Sequence, residues 1–148
     1  MLRRLHVSAA ATVIIALSTT AAFSQGKEYS GAWESQTNPR IVWTIDQSSD
    51  GIKLHVVRGL KRDIKTVTWL FGKPSRVPDA VASSIAETTA TIENGTIIFD
   101  GSLSGSDQPA RIVETWELNS AADKLTVTTK VHGANNKLVK QQTFRRRE

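Results

Sequence analysis

Apolar and polar residues alternate with a period of two along most of the chain. That is the pattern of antiparallel strands buried on one face. RIVWTIDQ sets Ile41, Trp43 and Ile45 on one side of a strand. GIKLHVV sets Ile52, Leu54 and Val56 on one side and Lys53 and His55 on the other. Val67, Trp69 and Phe71 align in TVTWLF, and Ile97, Phe99 and Leu103 in TIIFDGSL. Ile112, Trp116 and Leu118 align in RIVETWEL, and Leu125, Val127 and Val131 in KLTVTTKVH. The abundance of Thr, Val, Ile and Trp agrees with strand preferences.

Turn formers punctuate these runs. SSDG at 48–51 and ENG at 93–95 are tight hairpin signals, while GSDQP at 105–109, NSAAD at 119–123 and GANN at 133–136 are looser turns. The pattern predicts eight or nine strands, at about 29–34, 40–47, 51–58, 64–71, 83–92, 95–103, 110–118, 124–132 and 137–145. The stretch 72–84 holds two prolines and reads as a loop, with Asp79 able to cap one helical turn over 80–84. A sheet this long has two exposed edges unless it closes. The expected fold is therefore all-β, an antiparallel up-and-down meander barrel, whose interior holds either its own side chains or one small ligand.

The segment YSGAWESQ, which opens the strand run, fits that closure. Gly31 allows the first strand to bend sharply, and Trp33 can plug the base of the barrel. A cation from the last strand can lie across the indole. The chain ends QTFRRRE, and one of Arg145, Arg146 and Arg147 is the expected partner, Arg145 foremost. Gly31, Trp33 and Arg145 resemble the structural signature of lipocalin-like barrels. A wider pattern is similar to small secreted lipocalin-like (calycin-type) bacterial proteins of uncharacterised function. It comprises Gly31-Ala32-Trp33, Asp50-Gly51, ETWEL at 114–118, LTVTTKVHG at 125–133 and TFRR at 143–146. The chain departs from it at NSAADK, which lacks an Asp-Gly, and in the short connection after the first strand. The resemblance implies a barrel and no activity.

The first residues, MLRRLHVSAAATVIIALSTTAAFSQG, carry Arg3 and Arg4, an apolar run, and small residues before Gln25. They read as a cleaved secretory signal at 1–24, with one domain at 25–148 and an exported address, periplasmic or secreted. The apolar run is short for a bilayer core of roughly 30 Å, so no membrane span is expected after cleavage. Loss of the leader removes two arginines and no carboxylate, so the net charge falls from +5 to +3. That balance is no nucleic-acid footprint. The chain has no cysteine, which excludes disulfides, thiol catalysis and thiolate metal sites.

Candidate chemistry is sparse. Glu114 lies between Ile112 and Trp116 on the expected inner face. It is either a polar anchor in a ligand cavity or an internal partner for Lys140, Gln142 or a mouth arginine. Trp43, Trp69, Phe99 and Trp116 either line a pocket or fill a solid core. His55 and His132 sit on polar faces without carboxylates at ligand spacing, so no metal site or cofactor is expected. No nucleophile motif or phosphate loop is present. Two functions follow. One is a monomeric barrel binding a small apolar or amphipathic ligand non-covalently. The other is a protein-interaction module such as a periplasmic protease inhibitor, presenting 25–30 or 72–80. An enzyme is not expected.

Overall fold

In a computed structural model, residues 28–59, 63–76, 85–103, 111–132 and 137–148 are described. The leader, the helical turn considered over 80–84, and the turns at 105–109 and 133–136 lie outside them. Ten strands form one antiparallel sheet: β1 (Gly31–Ser35), β2 (Ile41–Gln47), β3 (Gly51–Arg58), β4 (Asp63–Leu70), β5 (Pro74–Ser75), β6 (Ile85–Glu93), β7 (Thr96–Leu103), β8 (Arg111–Leu118), β9 (Lys124–His132) and β10 (Lys137–Arg146). No helix occurs among the described residues.

The strand order is β4-β3-β2-β1-β10-β9-β8-β7-β6-β5. The first and last strands therefore meet in the middle of the sheet, with Trp33 opposite Arg146 and Ser35 opposite Phe144. Backbone bonds from Gln36 N to Thr143 O at 2.9 Å and from Arg147 N to Ala32 O at 2.8 Å extend that pairing.

The count of ten corrects the expected eight or nine. The additional strand is Pro74–Ser75, in the stretch read as a loop, and it pairs with Thr89 and Thr88 of β6. Proline lacks an N–H, which is tolerable at the edge of a sheet. The barrel is nearly closed rather than sealed. β4 and β5 are the two ends of the strand order, so the break falls between strands consecutive in sequence. The lower part of that seam is stitched by Gly72 N to Ala90 O at 2.8 Å and, from inside, by Trp69 Nε1 to Thr88 Oγ1 at 3.1 Å.

Local chemistry explains the turns. Asn94 and Gly95 both take positive φ, 50° and 75°, as a two-residue primed hairpin requires. At 119–123 the missing Asp-Gly is replaced by a side-chain cap. Asn119 Oδ1 accepts from the N–H groups of Asp123 and Lys124, each at 3.1 Å, and Ala122 takes φ 55°.

Tyr29, Trp33, Ile45, Ile97, Leu125 and Phe144 are fully buried and form the centre of the core. They cluster toward the end of the barrel that carries the turns at 48–50, 94–95 and 119–123. We call that end the floor, and the opposite end, where Arg58, His132 and Arg111 stand, the mouth.

Candidate functional site

The floor is closed by a latch around Trp33. Gly31 has φ 130°, and a Cβ there would lie 2.8 Å from Arg146 Nη1, so glycine is needed both for the backbone and for the approach of the arginine. The guanidinium of Arg146 lies 4.4 Å from the Trp33 ring centroid. It donates to Ala122 O at 2.8 Å, Ser30 O at 2.6 Å and Glu28 O at 3.0 Å. This corrects the expectation of Arg145. Directly opposed residues of an antiparallel pair project to the same face, and Trp33 is opposite Arg146 whereas Arg145 is opposite Glu34. Gly31 and Trp33 stand where the motif places them.

Tyr29 completes the latch and was not singled out by the motif. Its hydroxyl donates toward the carbonyls of Trp116 at 2.6 Å and Gly95 at 2.8 Å, its own carbonyl accepts from Trp33 Nε1 at 2.9 Å, and its N–H reaches Gln47 Oε1 at 2.9 Å. Burial pushes its phenol up to about 12. Residues 28–30, part of the segment expected to be presented to a protein partner, are thereby tied into the barrel.

Above the latch sits a continuous aromatic cluster. Trp43 contacts Phe144 with ring centroids 4.2 Å apart and Trp116 at 5.2 Å. Phe99 contacts Trp116 at 4.7 Å and Trp69 at 4.8 Å. The four sequence-identified rings all face inward, and each is under a tenth exposed. They pack against one another as a filled layer, the second of the two roles open to them. Phe144 joins them. Its place in that layer is legible from strand parity, since it lies two residues after Gln142 on the inner face.

Glu114 lies immediately above this layer, opposite Phe99 on β7 and Thr129 on β9. It is half-buried. Trp116 Nε1 donates to Oε1 at 2.6 Å and Thr129 Oγ1 donates to Oε2 at 3.0 Å. Burial pushes the carboxyl above the ordinary glutamate value, opposed by these two donors and by the positive charge of Lys140. Thr129 shares the inner face of Leu125, Val127 and Val131 by alternation, but its place beside Glu114 follows only from the register of β9 against β8. On β10, Lys140 stands opposite Thr129 and is exposed, and Gln142 stands opposite Val127 and is half-buried. Lys65, opposite the buried Val56, belongs to the inner face of β4 and is half-buried. The inner wall of the mouth half thus combines the polar Glu114, Thr129, Lys140 and Lys65 with the buried Val56 and Ile112, over an aromatic base. His55 bonds Thr66 at 2.8 Å between neighbouring strands and is not part of this wall.

The fold is shared with solved structures of low sequence identity. A secretary abundant heat soluble (SAHS) protein from Ramazzottius varieornatus matches with TM-score 0.61 and 14% identity, over 82% of this chain and 97% of that one. The wild-type fluorescent protein UnaG matches with TM-score 0.59 and 12% identity, over 80% and 96% respectively. The likeness is one of fold, a nearly closed antiparallel β-barrel. No protein-family model and no curated protein matches the chain. The fold relation says nothing about which residues of this barrel act, so the site rests on Glu114 and its surroundings.

Proposed function

We propose that the protein binds a small amphipathic ligand non-covalently in the mouth half of its barrel, with Glu114 as the directional contact and the layer of Trp43, Trp69, Phe99 and Trp116 as its apolar base. The observation carrying this reading is a half-buried carboxylate held by two donors directly over a closed aromatic layer. A carboxylate in that place opposes stability, since burial disfavours its charge, and an apolar side chain would pack better. Charged groups kept at such a cost concentrate where ligands bind. The calycin-like barrel supports the reading as a scaffold and does not specify the ligand.

The test is native mass spectrometry of the purified chain, with tryptophan emission followed across a panel of lipids, retinoids and compact amphiphiles. A bound species, with emission changes that Glu114→Gln weakens, is the expected result. No bound species and unchanged emission across the panel overturns the reading. The exported address rests on residues 1–24 alone, and the N-terminal sequence of chain recovered outside the cytoplasm, beginning at Gln25, would establish it.

A further inference from the structure

Two opposite charges share one row of the inner wall. Glu114 of β8 is opposite Thr129 of β9, and Thr129 is opposite Lys140 of β10. Lys140 is in this row by plain alternation, because the ladder is regular from Arg145 opposite Lys124 up to Lys140 opposite Thr129 and puts Lys140 on the face of Gln142 and Phe144. The register shifts only beyond it, where Leu138 is opposite Lys130.

The two charges do not neutralise each other by contact. No ion pair joins them among the described residues, and two strand spacings, about 10 Å between backbones, separate β8 from β10. Each keeps capacity for a ligand. A carboxylate offers about four acceptor positions, and Trp116 and Thr129 occupy two of those on Glu114. Lys140 is exposed and carries three donors. Lys65, from the inner face of β4, is already engaged in an interaction of its own.

This arrangement selects by charge. A simple cation drawn to Glu114 meets the repulsion of Lys140, and a simple anion drawn to Lys140 meets that of Glu114. Only a molecule bearing both charges pairs with both. The wall also limits size. From Glu114 to the mouth end of β8 at Arg111 is three residues, about 10 Å of strand, and the aromatic layer blocks the way down. We infer that the site receives a compact zwitterion, its ammonium on Glu114 and its carboxylate on Lys140. Free α-amino acids and short peptides with an apolar side chain are the two sources of that chemistry. The inference rests on the binding reading above and names the ligand class for the same site.

The experiment compares leucine and leucylleucine with their blocked forms by calorimetric and tryptophan-emission titration of the full chain. The N-acetyl derivatives remove the positive charge and the amides remove the negative one. The free forms should bind at least about tenfold tighter than either blocked form, the scale of one charge-assisted contact. Whichever free form binds tighter identifies the source. Glu114→Gln should bring the free and N-acetyl forms to within about twofold of each other, and Lys140→Gln should do the same for the free and amide forms. Lys140 is exposed, so its variant tests the pairing even if Glu114→Gln folds poorly. Equal binding of free and blocked forms, or a preference that survives both substitutions, overturns the inference. If the amphiphile panel binds while the leucine set shows no discrimination, the zwitterion inference falls alone. If nothing in either set binds, the binding reading falls with it.

Discussion

Arg146 and Arg145 are adjacent and chemically identical, yet their surroundings differ completely. Arg146 meets three backbone carbonyls and an indole, whereas Arg145 is exposed. Arg146→Ala should cost about 2–4 kcal/mol in denaturant unfolding, because it strips charge-assisted bonds and a ring contact together. Arg145→Ala should stay within about 0.5 kcal/mol of the parent. Tyr29 supplies a second residue-level test, being the only tyrosine in the chain. Its phenol is raised from 10.0 to about 12. The unfolded chain ionises first, so the stability Tyr29 contributes is intact below pH 10.0 and is lost as pH rises toward 12, an effect of about 2–3 kcal/mol. Ultraviolet difference absorbance of the phenolate should show no transition at 10.0 in the folded protein. The latch was half legible in the sequence. Gly31 and Trp33 were visible as a motif. The choice of arginine was missed although parity carries it, since Arg146 and not Arg145 shares the face of Gln142 and Phe144. Tyr29 shares the parity of Trp33 and could have been read from it.

At the scale of elements, alternation located the long strands well, since each has one buried face and a turn former at its boundary. It failed at Pro74–Ser75, where two residues are too few to alternate and proline argues against a strand. It failed also at the shift between Leu138 and Lys140, because a bulge belongs to a pair of strands and not to one sequence. Thr129 lies on the face that alternation marks, but its pairing with Glu114 needs the register of two strands. The seam between β4 and β6 gives the test at this scale. Trp69 donates to Thr88 across it, and both side chains are buried. Thr88→Val keeps the shape and removes the acceptor, leaving a buried indole N–H without a partner. It should lower stability by about 1–3 kcal/mol, while Thr88→Ser should retain the bond and be milder. Amide exchange should accelerate in β4 of the valine variant. Valine and wild-type proteins of equal stability would show that the seam is held by packing alone.

For the whole molecule, the aromatic layer divides the barrel into a filled floor half and a mouth half in which polar groups stand among the buried Val56 and Ile112. Composition announced the rings and left open whether they line or fill, since that depends on how ten strands bring them together. Glu114 links the halves to solution conditions. Its carboxyl is raised by burial, so its ionisation is harder in the folded state. The stability it contributes is present at acid pH and lost as pH rises through the raised value. The wild-type protein should therefore gain stability relative to Glu114→Gln as pH falls from about 7 toward 4, read from urea midpoints of the two proteins. A constant difference across that range would place Glu114 in a more solvated setting than its neighbours indicate.

The meeting of β1 and β10 in mid-sheet has a kinetic consequence. Every other ladder joins strands that follow one another along the chain, so each hairpin can zip from its own turn. Bringing position 33 against position 146 is the single step that must organise nearly the entire polypeptide at once. Its loop-closure entropy therefore falls on one event, and the rate at which the molecule reaches its native form is set where the two ends of the domain find each other.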